Sequence, residues 1–234
     1  RKPQNSIQTS TKKYYITLFM NLLFARFFST VFHPIFIPFY SLLIVLYMFP
    51  YRYIHIYDKI WNLTIGIIIA MTMVMPAIIV FIMKKLKIVE DYDLSRQKQR
   101  IFPYLIFFFF YLMTFLTIKP KINSSPVFME DSLIASVLLG ATISLCLAFF
   151  LNNFLKVSVH AMGVTNLFMV VSLLSRNSHQ MTFFLVLISL LAVGFTGSAR
   201  IYLRAHTPRE VYYGIFCGIL GQLLAFLVYF DKSL

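Results

Sequence analysis

Residues 101–118 read IFPYLIFFFFYLMTFLTI and contain no Asp, Glu, Lys or Arg. The run Phe107–Phe110 shows no polar–apolar alternation, so it does not read as a strand of a membrane barrel. A stretch of roughly 20 mostly apolar residues crosses a bilayer as a helix. In lipid a helix is the form in which one segment satisfies all its own backbone groups. Similar apolar blocks lie at about 35–50, 61–83, 132–151, 160–175, 181–198 and 211–230. The pattern predicts an all-α polytopic transmembrane helix bundle of about seven spans, forming a single membrane-embedded domain over 1–234.

Composition agrees. Of 234 residues, 59% are apolar and only 12% charged, and the mean hydropathy is +0.79. Soluble domains carry about twice that share of charge, so neither a water-soluble globule nor a disordered chain fits. The net charge of +13 sits between apolar blocks rather than on a soluble face, which argues against nucleic acid as a partner. The partner implied is the bilayer. Cys146 and Cys217 both fall inside apolar stretches and read as buried thiols. The sequence as given begins at Arg1 and opens with no signal-peptide pattern.

Residues 1–13 form a basic tail. Residues 14–32 are apolar but carry Asn21 and Arg26, and read either as an interfacial helix or as an eighth span. His33-Pro34 marks a break after them. Pro38 and Pro76 are candidate kinks. Tyr51, Tyr53, Tyr57 and Trp61 suit an aromatic belt. His33, His55 and His179 read as interfacial or turn residues. In the last span Gly214, Gly218 and Gly221 suit close helix packing, within the bundle or in a dimer; the sequence leaves the oligomeric state open.

The connections differ in chemistry. Residues 51–60, 119–131 and 176–180 look like plain turns. Residues 84–100 (KKLKIVEDYDLSRQKQR), 152–160 (NNFLKVSVH) and 198–210 (SARIYLRAHTPRE) hold most of the reactive side chains. Two spans separate the first from the second, and two separate the second from the third. An even number of crossings returns the chain to the same face, so all three meet on one side.

That face collects two histidines, His160 and His206, the cations Arg96, Lys98, Arg100, Lys156 and Arg200, and the carboxylate Glu210. Guanidinium groups match phosphate oxygens, and two imidazoles suit a nucleophile and a proton donor. Arg96 and Arg100 would share a face on a helix. Glu210, four residues after His206, reads in two ways. It can fix the imidazole tautomer, or it can close a capping box over Thr207-Pro208-Arg209-Glu210. The acidic group Glu90, Asp91 and Asp93 lacks a recognised metal-ligand spacing.

The third loop, Ser198-Ala199-Arg200…His206…Glu210, resembles the last signature of the type 2 phosphatidic acid phosphatase family of integral-membrane lipid phosphatases: Ser-Arg, five residues, His, three residues, Asp. Ala199 stands where Ser is usual, and Glu210 where Asp is usual. Val157-Ser158-Val159-His160 is similar to the second signature, Pro-Ser-Gly-His, without its Pro and Gly. The first signature, Lys, six residues, Arg-Pro, is not reproduced literally; Arg96, Lys98 and Arg100 precede Pro103 in its place. The resemblance covers roughly residues 84–225.

It implies a membrane phosphohydrolase acting on a lipid monophosphate or pyrophosphate, with no metal or cofactor. His206 would be the nucleophile, Glu210 its orienter and His160 the proton donor. Arg200, Arg100, Arg96, Ser158 and Lys156 would bind phosphate. It further implies a bacterial cytoplasmic membrane with the site on the outer face, whereas counting cations over seven spans favours the inner face. Competing readings are a catalytically weakened lipid-binding homologue and a membrane transporter.

Overall fold

The computed structural model describes residues 21–49, 59–92, 94, 96–124, 130–175 and 182–230. Every predicted span folds as a helix, and no strand occurs among the described residues. Residues 21–31 form α1. A 3-10 turn at Pro34–Phe36 leads into α2 (Ile37–Met48); then come α3 (Lys59–Ile69), α4 (Met75–Lys85), α5 (Ile101–Ser124), α6 (Glu130–Leu151), α7 (Val159–Leu174), α8 (Thr182–Tyr202) and α9 (Pro208–Phe230). The fold is an all-α multi-pass membrane bundle. Six segments are long and apolar enough to span. The seventh, α7, is shorter, at 16 residues or about 24 Å. It need not match the lipid thickness, because it packs between α8 and α9 and also touches α2 and α6. Outward faces are apolar, with Phe102, Phe109, Phe184 and Ile188 exposed, as suits a surface whose solvent is hydrocarbon.

Several boundaries depart from expectation. Helix α8 runs through Tyr202, so Arg200 sits on a helix and the third loop shrinks to 203–207. Helix α5 continues to Ser124, which narrows the turn after it. Pro38 lies in the first turn of α2, where a missing N–H costs no helical bond, so it starts the helix rather than kinking it. Pro76 does distort its span. Its ring crowds the carbonyl four residues back and offers that carbonyl no N–H. The chain responds with a π turn at Ala70–Val74, closed by Met75 N–H to the Ala70 carbonyl. The Thr72 carbonyl, deprived of its donor by Pro76, accepts from the Tyr111 hydroxyl at 3.4 Å. The basic tail (1–13), the first part of the apolar segment (14–20), Tyr51, Tyr53, Tyr57, His55, Asp93 and His179 lie outside the described residues, as does the side chain of Trp61. Cys146 is half-buried and Cys217 buried, and both are free thiols.

Helix α9 is central, lying against α6 and α7. Its glycines serve this internal packing. A Cβ at Gly218 would stand 2.6 Å from the Met162 carbonyl oxygen and 2.9 Å from Thr165. Backbone cannot yield as a flexible side chain does, so Gly218→Val should push α9 from α7 and lower stability by about 3 kcal/mol or more. Gly66→Ala, which would meet nothing within 4 Å, should leave the melting temperature in detergent unchanged or slightly raised. Equal melting of the two variants would contradict this account of α9.

Candidate active site

The N-terminus of α9 fixes the third loop. Thr207 N–H points at Glu210 Oε2 and Glu210 N–H at Thr207 Oγ1, both at 3.4 Å, which is the reciprocal pattern of a capping box. The same Oε2 lies 2.7 Å from His206 Nδ1. The two readings of Glu210 therefore coexist. A carboxylate can only accept, so it makes Nδ1 the protonated nitrogen and leaves the Nε2 lone pair available. Backbone bonds from Ala205 and His206 N–H to the Arg200 carbonyl fold this loop back on the end of α8.

Helix α7 begins at Ser158, whose Oγ accepts from Ala161 N–H at 3.4 Å as its N-cap. Ser158 N–H donates to the Glu210 carbonyl at 3.0 Å, and Lys156 Nζ to the Ala205 carbonyl at 2.7 Å. The second and third loops are thus stitched together. The first loop joins them through Arg100, which is 2% exposed. Its Nε donates to the Leu94 carbonyl at 2.6 Å, and its Nη1 donates to the Val157 carbonyl at 2.5 Å. Leu94 adopts a left-handed φ of 52°, a strained conformation for a bulky residue. Packing against Met83 and Val89 holds it there. Gln97 and Asn152 exchange side chain–backbone bonds and close the seam. The parity argument is realised: all three loops lie at one end of the bundle.

Arg96 needs correction. It precedes a 3-10 turn in extended conformation, so it does not share a face with Arg100. It points outward, 2.8 Å from Glu90, with its side chain 69% exposed. Lys98 is exposed as well. Ser158 accepts as a cap. Arg200 is buried and donates to Ser29 Oγ on α1 at 2.7 Å, while Phe24 and Phe28 of α1 pack on Phe195 of α8.

The sequence reading missed His33. Its Nδ1 accepts from Ile35 N–H as the cap of the 3-10 turn, and its ring stands perpendicular to that of His160 at 5.0 Å. His33, Arg100, Tyr104, His160 and His206 all line one cavity. The site therefore extends outside residues 84–225. His160 is buried, and its Nε2 has no hydrogen-bond partner. Among the described residues no three His, Cys, Asp or Glu side chains converge as a metal-ligand set.

Burial, followed by the charges of Arg100, Lys156 and Arg200, pushes the His206 imidazole down to about 2. Burial and Arg100 also lower the Lys156 ammonium. Stability should follow. Below about pH 6.5 an unfolded His206 binds a proton that the folded one refuses. Its contribution is thus complete above that pH and is lost as pH falls toward the folded value, by at most about 1.4 kcal/mol per pH unit. Melting between pH 7.5 and 5.5 should fall less steeply in His206→Gln than in the wild type; parallel slopes would contradict the assignment.

No family model, curated protein or solved structure matches the chain.

Proposed function

We propose that the protein is a membrane lipid phosphate phosphohydrolase that works through a phosphohistidine intermediate. One observation carries this reading. His160 and His206, 46 residues apart in the sequence, line the same cavity beside Arg100, and Glu210 orients His206. In this mechanism His206 Nε2 attacks phosphorus in line, and the bond to the lipid oxygen breaks. The buried guanidinium groups of Arg100 and Arg200 stabilise the non-bridging oxygens. The arriving phosphate's negative charge allows His160 to hold a proton, which it gives to the leaving alkoxide. Neutral His160 then takes a proton from water. The water oxygen bonds to phosphorus, the P–N bond breaks, and its electron pair returns to His206. Ser158 Oγ caps α7 as an acceptor, which leaves its O–H to donate to a non-bridging oxygen. Arg96 takes no part.

Resemblance of the second and third loops to lipid phosphatase signatures supports the same reading, and with it a bacterial cytoplasmic membrane and a site on the outer face. The test is phosphate release from a panel of lipid monophosphates and pyrophosphates by the purified protein in detergent, with no divalent cation added. Release above the buffer blank is expected. Binding of the same lipids without any turnover would instead favour a lipid-binding protein.

A further inference from the structure

The cavity that begins at the histidines does not end there. Its volume is about 280 Å³, and it runs inward between α2, the α3–α4 span, α5, α6 and α7. Polar groups gather at its mouth: His33, Arg100, Tyr104, His160 and His206. Its walls are mostly apolar, including Pro76, Val80, Leu138 and Leu145, with Ser41, Thr72 and Asn166 among them, and its inner end is lined by Val45, Ile68, Val170 and Gln222. From His160 to Val170 along α7 the depth is ten residues, or about 15 Å. This is half the roughly 30 Å hydrocarbon thickness of a bilayer, so the inner end reaches the midplane.

The π turn at Ala70–Val74 of the α3–α4 span lies where Thr72 lines the cavity. That span leans on α5 and meets α2 at the same turn. Where its lining is apolar, an unfilled cavity forfeits dispersion contacts. A hydrocarbon chain entering from the bilayer restores them without giving up any hydration.

Charge and shape together specify the occupant. We propose that this cavity is the tail site of the lipid phosphate, whose anionic head meets His160, His206 and Arg100 while a hydrocarbon chain lies inside the bundle. The depth takes about 12 carbons, at roughly 1.3 Å of advance per C–C bond. The head group's part rests on the phosphohydrolase reading; the chain's part does not.

Non-hydrolysable alkylphosphonates separate the two. Dissociation constants would be measured in detergent for C4, C8, C12 and C16 phosphonates, on the wild type and on Ala141→Phe. Ala141 lines the cavity on α6, outside the histidine cluster. Affinity should rise at least tenfold from C4 to C12 and stay level to C16. In Ala141→Phe the rise should disappear while C4 binding stays within about twofold. Ala77→Phe, which plugs from the α4 wall, should behave likewise and guards against misfolding of the first variant. Chain-length dependence that survives both plugs would overturn the tail site. Turnover of the matching alkyl phosphates is a separate readout: length-dependent phosphonate binding with no turnover would remove the enzyme reading and leave the tail site standing.

Discussion

Replacing His206 by Ala is expected to reduce kcat/KM for lipid phosphate by about 10³-fold or more, equivalent to roughly 4 kcal/mol of transition-state stabilisation. The reason is specific. Covalent catalysis divides one hard displacement into two easier ones, and the imidazole is the group that makes and breaks the P–N bond. The burial that keeps the ring neutral and the carboxylate that fixes its tautomer have no function without it. Folding should be little affected, because among the described residues the ring's side-chain bond is to Glu210, and Glu210 keeps its capping contacts with Thr207. A variant that melts near the wild type yet releases no phosphate separates chemistry from structure. Wild-type release by a folded His206→Ala would remove the nucleophile assignment.

Arg100→Met should damage both fold and function. The guanidinium bridges the first loop at the Leu94 carbonyl and the second at Val157, and it is buried. Methionine fills similar volume but donates nothing, so the buried Leu94 carbonyl loses its donor and the Val157 carbonyl keeps only the Tyr104 hydroxyl at 3.4 Å. At about 1–3 kcal/mol for an orphaned group, a loss of roughly 2 kcal/mol in stability is expected. Phosphate release should fall by about 10²-fold or more, because a cation disappears from the site and the loop that carries it loosens. Arg100→Lys should recover little. One ammonium cannot reproduce the planar fork that reaches two carbonyls and an incoming anion together. Thermal melting and phosphate release measured on the same preparations check both halves. Full activity in Arg100→Lys would show that only the charge matters.

The spans were legible because a bilayer-length apolar run has few alternatives, and parity alone put three loops at one end. What the sequence hid depends on local geometry. Arg96 and Arg100 look equivalent at helical spacing, yet a 3-10 turn sends one outward to Glu90 and the other inward. His33 lies 127 positions before His160, and only the bend at Pro34 turns its ring toward it; the unexplained break after an apolar segment was the one available signal. Ser158 matches a signature residue, but the helix that begins there also uses its hydroxyl oxygen. The cavity reflects packing among five elements, although Pro76 hinted at the turn that lines it.

The central claim is that a phosphoryl group rests on one imidazole during turnover. The direct measurement uses a [32P]-labelled nitrophenyl phosphate, whose phenolate leaves without a proton, with the His160→Asn variant, in which the second step lacks its base. The reaction is quenched in alkali and the labelled peptide is mapped by mass spectrometry. Acid-labile, alkali-stable label on the peptide containing His206 is the predicted result. Phosphate release by the wild type with no label on His206, or with label on another residue, would contradict the mechanism.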